Sequence, residues 1–144
     1  MYARAMALTH PNVDVGVVSS LIHCIEECEA CAQVCSACAD ACIGETFERD
    51  LVQCIRTALD CADLCRTAGM IATRRSGSNP TVVIGALQAC VEACARCAEA
   101  CGRHAGRVEH CRICASRCGH CEDACLEAIA DLQDDCREAA DVRH

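Results

Sequence analysis

Six cysteines in CIEECEACAQVCSACADAC, from Cys24 through Cys28, Cys31, Cys35 and Cys38 to Cys42, follow one another at spacings of 4, 3, 4, 3 and 4. Three more series repeat the layout. Cys54, Cys61 and Cys65 are spaced 7 and 4, with Ala58 at the skipped turn. Cys90, Cys94, Cys97 and Cys101 are spaced 4, 3 and 4; Cys111, Cys114, Cys118, Cys121 and Cys125 are spaced 3, 4, 3 and 4. Alternating 3 and 4 is the helix period, and it places each series on a single stripe. No segment alternates by 2, as a strand would.

Disulfides, zinc, an iron–sulfur cluster and a soft-metal store would all use many thiols, but they need different geometry. Disulfides require Cβ atoms about 3.5–4.5 Å apart, whereas neighbours on a helix stripe stand about 5–6 Å apart. Bridges along a stripe would be strained, which leaves only bridges between helices. The CxxC pairs of CEACAQVCSAC and CRICASRCGHC have zinc-site spacing. They lie in continuous helix with no turn between the thiols, and four ligands per closed site leave an unbroken seam unexplained. The ferredoxin run ends in Cys-Pro, and no cysteine here precedes a proline. A plain core of thiols is the bland alternative, because free cysteine packs as a small hydrophobe. Eighteen of them in place of Leu and Ile would fill a core poorly.

Cu(I) fits the spacing better. It is soft, prefers thiolate and accepts two or three sulfurs. A linear site wants its sulfurs roughly 4.5 Å apart if each bond resembles the ~2.3 Å zinc–thiolate length. The spacing predicts such sites at Cys24/Cys28, Cys31/Cys35, Cys38/Cys42, Cys61/Cys65, Cys90/Cys94, Cys97/Cys101, Cys114/Cys118 and Cys121/Cys125. Thiolates can also bridge two metals, so a continuous seam can carry a continuous cluster. One Cu(I) per thiolate is neutral, as a buried core requires.

The elements that would position these thiols are four helices, near 11–43, 46–74, 79–103 and 107–139. Gly44 is a helix stop and Thr46 a candidate N-cap. Pro80 suits a first helical position, and Gly102 and Gly106 flank a break around His104. Short loops between long helices predict an all-α fold, an antiparallel up-down-up-down four-helix bundle with a cysteine-lined core, as one domain over 1–144. Charges such as Glu26, Glu29, Asp60, Asp63, Glu92, Arg96, Glu99, Glu122 and Asp123 take the outer faces. Antiparallel order gathers Cys42, Phe47, Cys101, His104, His110 and Cys111 at one end, a candidate mouth. Val17, Val18, Leu21, Ile71, Val83, Leu87, Ile129 and Leu132 plug the other.

Composition narrows the function classes. A net charge of −8, with 13 basic residues that are all Arg, argues against nucleic acid and anionic membrane as partners. The one basic cluster, TRRSG, reads as a solvated loop. Phe47, Tyr2 and no Trp leave 19 cysteines and many alanines to line the interior, so something other than side chains must occupy part of it. No signal-peptide h-region and no run of 18 apolar residues is present, which predicts a cytoplasmic protein with reduced thiols and no membrane span.

Four cysteine-striped helices, CxxxC pairs on each, and histidines near one bundle end resemble the cytosolic copper-storage proteins of bacteria. The resemblance runs from the first helix to the fourth. It implies a homotetramer of bundles, each holding many Cu(I) ions, with a copper chaperone as a further partner. It implies the eighteen stripe cysteines as ligands and His104 and His110 at the mouth. Cys136, eleven residues past Cys125, fits the seam less well. His120 reads as a surface residue, and His10, His23 and His144 as solvated. The expected function is cytosolic storage and sequestration of Cu(I), not catalysis. Two alternatives stay open: a thiol redox enzyme or oxidant sensor, for which Cys111 beside Arg107, His110 and Arg112 comes nearest, and a zinc or cadmium buffer.

Overall fold

The computed structural model describes residues 2–11, 15–46 and 48–142. Helix α1 spans Tyr2–Leu8, α2 Val15–Ile43, α3 Val52–Thr73, α4 Pro80–Gly102 and α5 Glu109–Val142. Helices α2 to α5 form an antiparallel four-helix bundle in which α2 and α4 each pack against both α3 and α5. Helix α1 lies along α2 and buries none of its own residues.

The helix ends have local causes. Gly44 closes α2 with its N–H shared between the carbonyls of Asp40, at 3.3 Å, and Ala41, at 3.1 Å. Pro80 opens α4 behind Asn79 as N-cap, where a missing N–H costs nothing. The loop before it turns through Gly77, whose φ of 72° favours a residue without Cβ. The second bundle helix starts later than Thr46. A 3-10 turn at Glu48–Leu51 precedes it, and its N-cap is Leu51, which makes no side-chain cap bond. Leu51 is instead fully buried, so apolar burial fixes this start in place of capping. Helix α5 continues past 139, to Val142.

Helix α4 is long and apolar enough to cross a membrane by length and composition, which the absence of an uninterrupted apolar run conceals. Much of its apolar character is the cysteine stripe, turned into the bundle. Its outer side carries Arg96, paired with Glu92 at 3.3 Å and Glu99 at 2.9 Å. Such exposed pairs contribute little stability. One pair is more enclosed: Glu27 of α2 meets Arg117 of α5 at 3.4 Å.

One bundle end closes on Leu21, Leu87, Ile129 and Leu132, all buried, with Ala68, Ala72 and Ala128 among them. Ile71 and Val83 are half-buried there. The side chains of Val17 and Val18, and all of Phe47, lie outside the described residues. At the opposite end Leu51 and Val108 are buried too, so the end with the histidines is not wholly polar.

Candidate metal centre

Helical period and bundle packing together turn every stripe thiol inward. All nineteen cysteines are free; the eighteen of the four series are buried and Cys136 is only half-buried. Antiparallel order pairs the start of one series with the end of the next. Cys24 meets Cys125 at 3.4 Å, Cys31 meets Cys61 at 3.9 Å, Cys65 meets Cys90 at 3.5 Å, and Cys42 meets Cys111 at 3.7 Å.

The close contacts are mostly between helices. Along a helix, Cys31–Cys35 at 3.7 Å, Cys38–Cys42 at 4.0 Å, Cys61–Cys65 at 3.7 Å and Cys97–Cys101 at 3.9 Å are as close. The i,i+4 spacing therefore underestimates the cross-helix geometry, which periodicity within one helix does not contain. Groups of four thiols lie with their sulfurs within 4.8 Å of one another. One is Cys28, Cys90, Cys121 and Cys125; another is Cys38, Cys54, Cys101 and Cys111. Between them, Cys31, Cys35, Cys118 and Cys121 each belong to two overlapping groups. Overlap favours sulfurs that bridge metals over separate closed sites. At the skipped turn, Ala58 is fully buried, and the group there, Cys35, Cys97, Cys114 and Cys118, draws two thiols from α5 in place of one from α3.

Thiols this close exchange hydrogen bonds, and their acidities diverge. Hydrogen bonding with Cys125 holds Cys24 down to about 5, and hydrogen bonding with Cys101 lowers Cys38 to about 6. Burial, with nearby Cys54 and Cys38, pushes Cys111 up to about 12. An exposed, acidic thiol at Cys111 is thus not what the structure presents.

The two candidate histidines part company. His110 turns Nδ1 into the seam, 3.6 Å from Cys38, 3.7 Å from Cys42 and 3.8 Å from Cys111. Its Nε2 lies 3.0 Å from a carboxylate oxygen of Glu45. Burial lowers its basicity, but the bonds to Cys38 and Glu45 outweigh this and raise its pKa. His104 sits in the α4–α5 turn, with its N–H bonded to the carbonyl of Cys101 at 3.0 Å and its own carbonyl accepting from Val108 at 2.9 Å. Glu45 carries no signal in the sequence; it is a loop residue brought to His110 across 65 positions. His120 is exposed, with Nδ1 at 2.7 Å from the Ser116 carbonyl, and His23 is exposed. His10, expected in solvent, is half-buried. His144 lies outside the described residues.

The family model for the copper storage proteins matches residues 18–130, the whole stretch that holds the seam. The chain belongs to the copper storage protein family. Among its relatives, the cysteine-rich protein YhjQ of Bacillus subtilis (strain 168) is 34% identical over 107 residues, covering 74% of this chain and 94% of YhjQ. The copper storage protein Ccsp of Streptomyces lividans, solved with 10 copper equivalents, is 45% identical with a TM-score of 0.86; the match covers 90% of this chain and 98% of that one. A structure of the cytosolic copper storage protein from Streptomyces lividans with five coppers is 50% identical over 77% of this chain and 92% of that one, with a TM-score of 0.76. This member of the family is a copper store.

Proposed function

We propose that the chain holds copper as Cu(I) on the eighteen thiols of the seam, as a cytoplasmic homotetramer with no catalytic role. The overlapping four-thiol groups carry this reading. A soft monovalent ion with two or three thiolate ligands can occupy each overlap, because one sulfur serves two metals. A divalent ion closed by four thiolates would leave a net double negative charge at each buried site, which is costly. One Cu(I) per thiolate leaves the core neutral.

Each ion displaces protons as its ligands ionise, so apparent affinity rises with pH. His110 supports entry at its end of the bundle. In the neutral ring, with Nε2–H donated to the Glu45 carboxylate, Nδ1 would present its lone pair towards Cys38, Cys42 and Cys111. Imidazole is a harder, neutral ligand than bridging thiolate, suited to passing an ion on. The buried Leu21, Leu87, Ile129 and Leu132 of the apolar end offer no ligand.

Anaerobic titration with Cu(I) against a chelator of known affinity tests the reading. Bridged seam sites should take on the order of one ion per seam cysteine, about 18; isolated pairs would take about half as many. Saturation at one to four ions would overturn it.

A further inference from the structure

Away from the histidine end, a cavity of about 410 Å³ opens between α1, α2 and α3. The chain has three methionines; Met1 is the first residue, and the other two, Met6 and Met70, both line this cavity. Both are largely exposed, whereas Cys65, also part of the lining, is fully buried. The cavity therefore reaches from solvent to the wall of the seam. The wall is thin there, because Gly69 places the α3 backbone directly against α2. A Cβ at Gly69 would stand 3.4 Å from that of Cys28.

Thioether sulfur is soft and suits the same metals as thiolate. Glu29 and Arg66 also line the cavity and offset each other in charge, so the soft sulfurs, not net charge, would select the ion. Cys65 is well placed to pass an ion inward: its sulfur lies 3.7 Å from Cys61, 3.5 Å from Cys90, 3.7 Å from Cys94 and 3.9 Å from Cys121. An ion entering beside His110 must instead travel from the level of Cys42 to that of Cys28, roughly 21 Å at helical rise.

We infer that Met6 and Met70 form a second copper port, a thioether site for Cu(I) beneath α1 that exchanges ions with Cys65. The inference rests on the Cu(I) reading of the seam. The step is ligand exchange. A copper–thioether bond breaks, a copper–thiolate bond forms at Cys65, and the thiol proton leaves through the cavity to water. Copper remains monovalent throughout. Helix α1 covers the port and is tied down by the ion pair of Arg4 with Glu26 of α2.

Selenium in place of methionine sulfur makes the port visible. Selenomethionine protein is loaded anaerobically with Cu(I) to saturation of the seam, then with a small excess, and the selenium absorption edge is recorded. Selenium–copper scattering should appear with the excess and vanish in M6L/M70L, a volume-conserving change. In a background with His104 and His110 replaced by alanine, M6L/M70L should also slow loading by about tenfold. Absence of selenium–copper scattering, or an unchanged loading rate, overturns the port while leaving storage intact. A seam that saturates at one to four ions would instead overturn the Cu(I) reading on which the port rests.

Discussion

At one end of the bundle Leu21, Leu87, Ile129 and Leu132 are buried against small alanines. At the other, His110 points one ring nitrogen at three thiols and the other at Glu45, with Leu51 and Val108 buried nearby. The first end is held by area removed from water, which needs no metal. The second combines some apolar burial with an imidazole, three thiols and a carboxylate held close together. A chain whose core is mostly small thiols concentrates its stability where the larger side chains are, and places an imidazole against the seam at the other end.

Three changes test this division. The largest effect belongs to the apolar end. Leu87→Ala removes a fully buried side chain and should lower apo stability by about 2–5 kcal/mol, read from the melting of the metal-free protein by circular dichroism. That spectrum should be helical before mutation, and copper capacity should survive the change. Loss of capacity in Leu87→Ala would mean that the apolar end shapes the metal sites.

Next comes the histidine end. Replacing His104 and His110 with alanine should slow loading and removal by about 10–100-fold with capacity nearly unchanged and little loss of stability. Glu45→Gln should act in the same direction but less. Stopped-flow loading separates these outcomes, and a large loss of capacity would make the histidines storage ligands.

The smallest effect is a gradual dependence on pH. A cysteine thiol ordinarily ionises near 9.0, and burial beside Cys54 and Cys38 pushes Cys111 up to about 12. Between those values the folded chain keeps a proton that the unfolded chain has lost. The Cys111 contribution to apo stability is therefore full below about pH 9 and is lost as pH rises towards 12. Melting temperatures across that range should decline for apo protein. They should stay nearly level for copper-loaded protein, whose thiols are already ionised.

The bundle and its seam were legible in the sequence because a thiol at every turn is a periodic signal in residues that rarely cluster. Helix α1 carries no such signal. The start of α3 was misplaced because Thr46 looks like a cap, while Leu51 is held by packing that no local pattern encodes. Cross-helix sulfur contacts such as Cys24–Cys125 depend on register between helices, which spacing within a helix does not reveal. Glu45 was missed for the same reason, since its partner is distant in the chain and the residue itself is an ordinary loop carboxylate.

The seam also has a history in time. Cys24 and its neighbour Cys125 are 101 residues apart. At ribosomal speeds of about 5–20 residues per second, α2 emerges roughly 5–20 s before the last thiol of α5. For that interval the six sulfurs of α2 lack the wall that α5 provides, even where α3 already packs on them. Arrival of α5, which supplies five thiols along the length of the core, is the event that withdraws them from the surrounding fluid. Burial of the seam is therefore completed late in synthesis.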